Sequence, residues 1–344
     1  MPLEPTVNSV VAHAPCRADL AGGTVDIWPL YLFHPGAVTV NFAVNILTRC
    51  RIRRIRGSRL VLRSLDTGRE DHFRDLKHLC AARRFKHALA AYLVRFFAPE
   101  GGLEIETHSE SPAGAGISGS SALMIATTAA LARYTGRKLS REEVRVIAQN
   151  VEAQLIRVPT GCQDYYPALY GGVSAIHLRP DGIHREAIAL GPEALDRRFL
   201  LVYTGAPRQS GINNWEVFKA HINGDRRVLR NFDEIVAIAR GMKDALAASD
   251  WPEVERLLRA EWKLRKTNIP GISTPLIDRL ITGTMGQGAR AAKVCGAGGG
   301  GCLILLVEEG SRDRVAKVVS KLGGRVLPAA VAREGLSLTA GRLR

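Results

Sequence analysis

At 344 residues, with 46% hydrophobic and 24% charged residues, the chain has a globular composition and length enough for two domains, which excludes a disordered or fibrous chain. No stretch of about 18 residues is apolar without a charge, and the start MPLEPTVNSV lacks the basic and apolar regions of a signal peptide, so the expected setting is the cytoplasm with no membrane partner. The formal net charge of +15 attracts nucleic acid, anionic membranes and anionic small substrates alike, and by itself selects none of them.

In chain order, short β-rich runs from Val7 to Ala14 and from Ala37 to Leu47 flank a glycine-bearing segment. Arg49, Arg51, Arg53, Arg54, Arg56, Arg59 and Arg63 then alternate with Cys50, Ile52, Ile55, Leu60 and Leu62 around a Gly57-Ser58 turn. That period predicts a hairpin with one buried and one wet, basic face. It has no aromatic rings on which bases could stack, so no nucleic-acid partner is expected. Leu103, Ile105 and Thr107 mark a strand. An apolar helix is expected over 121–133, and a second over 140–156, where Ser140 and Glu143 form a capping-box pattern.

A strand from Val173 to Leu178 turns at Pro180-Asp181-Gly182, and a domain boundary fits near Gly191-Pro192, giving domains of 1–191 and 192–344. Beyond it come a strand from Phe199 to Tyr203, helices over about 214–222, 228–249, 252–266 and 275–287, a glycine loop and a strand from Cys302 to Val307. The expected class is α+β. The six cysteines, Cys16, Cys50, Cys80, Cys162, Cys295 and Cys302, show no C-x-x-C pair and no metal-ligand spacing with the nine histidines, which predicts reduced structural thiols.

Four segments carry chemistry. Pro112-Ala-Gly-Ala-Gly-Ile-Ser-Gly-Ser-Ser-Ala122 lies between a strand and an apolar helix, where glycines let the backbone approach phosphate and the helix start offers unpaired N–H groups. It matches neither the P-loop nor the dinucleotide pattern, and a plain Gly/Ser turn remains its alternative. Lys293-Val-Cys-Gly-Ala-Gly-Gly-Gly-Gly-Cys302 runs straight into the strand after it, which is unusual for a linker, the alternative reading. Ala14 to Asp26 sets Arg17, Asp19 and Asp26 around Gly22-Gly23, a composition suited to polyol hydroxyls. Glu152 lies on a helix, and after a turn come Gln163-Asp164-Tyr165, where the loop aspartate can accept a proton from an attacking hydroxyl; the alternative is that Glu152 and Asp164 are two ordinary surface acids.

Taken in this order, the four segments resemble the GHMP kinases, and the resemblance covers most of the chain. Leu201 to Gly205 with Arg208 and Ser210, and Trp262 to Arg265, look most like the D-glycero-D-manno-heptose 7-phosphate kinase group, whose relatives include fucose kinases. The resemblance implies a ribosomal-protein-S5-like N-terminal domain and a ferredoxin-like C-terminal domain, with ATP and magnesium as cofactors and a sugar hydroxyl as acceptor. It implies that Pro112, Gly114, Ala115, Gly116, Ser118, Gly119, Ser120 and Ser121 wrap the ATP phosphates and that Ser121 and Glu152 hold the metal. Asp164 would face the acceptor hydroxyl, steadied by Arg17. Asp19, Gly22, Gly23, Asp26, Gly298, Gly299 and Arg208 would form the acceptor pocket, with residues 296–301 supporting the phosphate loop.

The phosphate loop departs from the usual G-L-G-S-S-S as Gly116-Ile-Ser-Gly-Ser-Ser121, and the front motif reads Ala-Gly-Gly-Thr-Val-Asp26 where a third glycine and then Thr-Asp are usual. The expected function is an ATP-dependent sugar kinase acting on a monosaccharide, with the anomeric hydroxyl of a heptose 7-phosphate or a related sugar first. A non-sugar alcohol as acceptor, or a non-catalytic sensor of the same fold, are the alternatives. The oligomeric state stays open, a homodimer included.

Overall fold

The computed structural model describes residues 7–207 and 212–342 and opens with two long antiparallel strands, β1 (Val7–Ala21) and β2 (Val38–Ile55). Their alternating residues send Val10, Ala12, Cys50 and Ile52 into the core. There follow β3 (Leu60–Ser64), β4 (Arg69–Phe73), α1 (Leu76–Ala81), α2 (Ala88–Phe97) and β5 (Gly102–Ser109).

The expected hairpin across Gly57-Ser58 does not form. β5 inserts between β2 and β3, antiparallel to the first and parallel to the second. Charge accounts for this: Glu104 on β5 receives Arg53 from one side and Arg63 from the other, and Glu106 meets Arg51 at 3.5 Å. Pairing β2 directly with β3 would set arginines beside arginines across neighbouring strands, which is unfavourable.

Next come α3 (Gly119–Tyr134), α4 (Arg141–Ile156), α5 (Tyr165–Tyr170), β6 (Val173–Arg179) and β7 (Gly182–Ala187). Small and apolar residues let α3 lie buried almost all round against β1 and β2. The capping box of α4 is present in full, with Ser140 Oγ accepting from the Glu143 N–H and the Glu143 carboxylate accepting from Ser140 N–H at 2.7 Å.

The second half contains α6 (Pro192–Asp196), β8 (Phe199–Tyr203), α7 (Ile212–Ile222), α8 (Arg226–Ala247), α9 (Trp251–Asn268), α10 (Pro275–Met285), β9 (Ala289–Val294), β10 (Cys302–Val307), α11 (Arg312–Lys321), β11 (Arg325–Leu327) and β12 (Ser337–Arg342). Four of these strands form an antiparallel sheet in the order β11-β8-β10-β9, and β10 is buried along its whole length. β12 leaves this half and pairs antiparallel with β1, so the last described residues complete the first sheet. Five of the six cysteines are buried, and among the described residues no helix is long and apolar enough to cross a membrane.

Candidate active site

A cavity of about 580 Å³ is lined from both halves of the chain, within the range of ligand pockets. Residues 111–121 form one wall. There Gly114 and Gly116 have φ of +68° and +79°, and Ser118, the N-cap of α3, has φ 61° with its Oγ buried and without a partner among the described residues. The first turn of α3 has no side-chain cap, and the loop before it carries hydroxyls and no carboxylate, an arrangement suited to an anion.

The late glycine run braces this loop from behind. Cys302 N–H donates to Ala115 O at 2.6 Å, and a Cβ on Gly301 would stand 2.6 Å from that same oxygen. Only a bare backbone can pack there. Gly301 thus serves a contact between the start of β10 and the loop, and the linker alternative is discarded.

Glu152, buried on α4, accepts from Tyr165 Oη at 2.7 Å. Burial pushes its carboxyl above the usual range, opposed by hydrogen bonds from the hydroxyls of Ser120, Tyr165 and Ser121. Among the described residues no group of three or more His, Cys, Asp or Glu is placed to hold a metal. A magnesium ion, however, is commonly held by one or two protein oxygens and the phosphates of the nucleotide, and the Ser121 hydroxyl with the Glu152 carboxylate is a hard-oxygen pair of that kind.

Arg17 and Asp164 form the centre of the site. Arg17 Nε and Nη2 both meet Asp164 Oδ1, at 2.8 and 2.7 Å, while its Nη1 donates to Gly116 O at 2.9 Å and lies 3.3 Å from Asp19 Oδ1. Burial would lower the pKa of the guanidinium, but Asp164 and then Asp19 hold it above its usual value. Both bonds to Asp164 fall on Oδ1, and among the described residues none falls on Oδ2, which leaves that oxygen for a hydroxyl in the cavity.

Beyond this pair lies Asp26, whose Oδ2 accepts Gln163 N–H at 2.9 Å and whose Oδ1 accepts Gln163 Nε2 at 3.3 Å. Burial, and then the charge of Asp164, push the Asp26 carboxyl up to about 6. Gln163 Oε1 is buried with no partner among the described residues, and Gly23, Thr24, Asn214 and Arg265 complete this end of the cavity.

Several expected acceptor contacts are not at the cavity surface. Asp19 is 1% exposed and fully occupied, by Lys293 Nζ at Oδ2, by Gly296 N–H at 3.0 Å and by Arg17. Burial pushes its carboxyl up, but Lys293, Arg17 and Arg265 hold it below the carboxylate range. Gly22 donates its N–H to Glu261 at 3.2 Å, and Gly298 and Gly299 pack on Ile272, all behind the lining. Lys263 is exposed outside the cavity. Arg208 and Ser210 lie outside the described residues.

Sequence reasoning assigned no role to Gln163, Arg265 or Asn214, nor to the far wall of Ser64, Asp66, Thr67, Lys86 and His87. Gln163 sat in the same turn as Asp164. Arg265 follows Glu261 by one helical turn on α9, a buried acid and base on one face that a helical wheel would have displayed.

Residues 78–172 match the family model described as the GHMP kinases N terminal domain, and residues 242–325 the model described as GHMP kinases C terminal. The chain belongs to the GHMP kinases, with their two-domain α+β fold, and is an ATP-dependent small-molecule kinase. Over 341 residues it is 23% identical to D-glycero-alpha-D-manno-heptose 7-phosphate kinase of Campylobacter jejuni, covering 96% of this chain and 98% of the relative. Over 250 residues it is 27% identical to mevalonate kinase of Thermococcus gammatolerans, covering 69% of each. The crystal structure of Lactococcus lactis galactokinase complexed with galactose shares the fold with a TM-score of 0.79 at 19% identity, over 96% of this chain and 95% of that one.

Proposed function

We propose that the chain moves the γ-phosphoryl group of ATP onto a monosaccharide hydroxyl, with the anomeric hydroxyl of a heptose 7-phosphate or a related sugar phosphate as the acceptor. The observation that carries this reading is the Arg17–Asp164 pair, which stands between the 112–121 loop and the Asp26 end of one cavity. The heptose kinase relative, similar along almost the whole chain, favours this acceptor class. The division of the chain into domains of 1–191 and 192–344, with β12 returning to the first, belongs to the same reading.

In this mechanism the loop N–H groups and the hydroxyls of Ser118, Ser120 and Ser121 receive the phosphates. The Ser121 hydroxyl and the Glu152 carboxylate would hold magnesium, which would supply positive charge at the phosphoryl oxygens. Asp26, Gln163 and Gly23 orient the sugar. Asp164 Oδ2 takes the proton of the attacking hydroxyl as its oxygen bonds to the γ-phosphorus and the bond to the ADP oxygen breaks. Arg17 holds Asp164 in line through the two bonds to Oδ1, so the protein contributes mainly position and charge.

The test is ADP release across a panel of free and phosphorylated sugars, with isoprenoid and amino acid alcohols included because of the mevalonate kinase relative. The expected result is the highest kcat/KM with a phosphorylated sugar, falling as salt rises, because an anion grip is screened. A neutral sugar preferred over its phosphorylated form removes the anionic acceptor, and a non-sugar alcohol preferred over all sugars removes the sugar assignment.

A further inference from the structure

We propose that Lys293 is a positioning residue for the phosphoryl transfer, acting through Asp19 on Arg17 and hence on Asp164. This rests on the role assigned to Asp164 above. Lys293 lies on β9 in the second sheet, is 0% exposed and does not line the cavity, so it touches neither substrate. An ammonium in such a place needs a partner, and it finds one across the interface: Nζ donates to Asp19 Oδ2 and, at 3.1 Å, to the Asp19 main-chain carbonyl. Gly296 N–H, three residues along the same chain segment, takes Asp19 Oδ1 at 3.0 Å. The second half of the chain therefore sets both oxygens of an aspartate that belongs to the first strand.

The consequence passes along a planar group. The Arg17 guanidinium is held at one edge by Asp19 Oδ1 and Gly116 O, through Nη1, and at the other by Asp164 Oδ1, through Nε and Nη2. A guanidinium is rigid, so a turn of the Asp19 carboxylate moves the edge that steadies Asp164. Arg265 Nη1, 3.5 Å from Asp19 Oδ2, is the competing partner toward which Asp19 would swing once Lys293 is removed. Lys293 therefore ties the alignment of Asp164 and of the phosphate loop at Gly116 to the seating of the second sheet on the first.

The bland alternative is that Lys293 only neutralises a buried Asp19. That role predicts a loss of stability and normal turnover per folded molecule. A double-mutant cycle separates the two. Lys293→Met is made in the native chain and in an Asp164→Asn background, and kcat, both KM values, nucleotide binding and thermal melting are measured with ATP, magnesium and heptose 7-phosphate, or the best acceptor of the panel above.

In the native background kcat should fall about 10- to 100-fold with little change in either KM, as for a misplaced catalytic group. In the Asp164→Asn background the same change should cost less than about threefold, because the residue being positioned is gone. Unchanged kcat, or the same loss in both backgrounds, overturns the proposal while leaving the role of Asp164 standing. Near-native turnover of Asp164→Asn itself takes down both. Where Lys293→Met folds poorly, Asp19→Asn with Lys293→Met removes both buried charges. Its melting temperature should recover while kcat stays at least about tenfold down, and recovery of kcat together with stability shows a structural role only.

Discussion

Gly161 stands directly against Asp26: a Cβ at position 161 would lie 1.9 Å from Asp26 Oδ2 and 2.5 Å from its Cγ. The turn at 159–161 and the front glycine motif are thus fitted to each other, and the Ile27–Gly161 bridge joins them through the backbone as well. Gly161→Ala must push Asp26 aside or lift the turn, and Gln163, whose N–H bonds that same oxygen, moves with it. The acceptor KM should rise about tenfold or more while the ATP KM holds, since displacement of a positioning group by about 1 Å is costly. Stability should fall by about 1–3 kcal/mol, the usual cost of overpacking. Steady-state kinetics with each substrate varied, alongside thermal melting, check this. An unchanged acceptor KM would detach Asp26 from acceptor binding.

Asp26 carries a pH dependence whose sign follows from its environment. Its carboxyl is pushed up to about 6, by burial first and then by Asp164. The usual value is about 3.9, so between roughly pH 4 and 6 the folded state holds more protons at this site than the unfolded state. Its contribution to stability therefore falls as pH rises through that window, and the penalty is complete above about pH 6. Asp26→Asn should melt higher than the native chain at pH 8, by at most about 3 kcal/mol of stability, and show no gain at pH 4. In the native chain the acceptor KM should rise as pH falls through about 6, because a protonated carboxyl accepts hydroxyl hydrogen bonds less well. The variant should show a high KM with no such step. A matching step in both would assign the titration to another group.

What was legible beforehand follows the range of the interactions. The phosphate loop, the capping box at Ser140 and the Gln163-Asp164 turn are written within a few residues of sequence, so local chemistry displayed them. The insertion of β5 between β2 and β3 depends on Glu104 meeting arginines from two strands, one of them parallel, and no local pattern announces that pairing. Asp19 read as a sugar contact because it stands beside Gly22-Gly23, and its true partner, Lys293, lies 274 residues away. The available signal was the converse one: a lysine between the apolar residues Ala291, Ala292 and Val294, next to last in the strand Ala289–Val294, must find a carboxylate somewhere once that face is buried.

Glu152 and Ser121 together give the last prediction. Burial pushes the Glu152 carboxyl up, and the hydroxyls of Ser120, Tyr165 and Ser121 work against that rise, so the group sits ready to be claimed by a divalent cation, which binds only its ionised form. Glu152→Gln keeps the shape and the bond from Tyr165 Oη but removes the charge. A neutral amide is a poor ligand for a hard cation, and the magnesium needed for half-maximal rate should rise by roughly 10- to 100-fold, with Ser121→Ala moving it in the same direction but less. The pH dependence distinguishes ligation from a packing effect. In the native chain the magnesium requirement should increase as pH falls, because protons compete for Glu152, and in Glu152→Gln that slope should disappear. Titrations of rate against magnesium at pH 6 and pH 8 in the three proteins supply the measurement. If the curves of both variants overlie the native one, the metal is held elsewhere along the cavity and the alignment of the 112–121 loop must be redrawn.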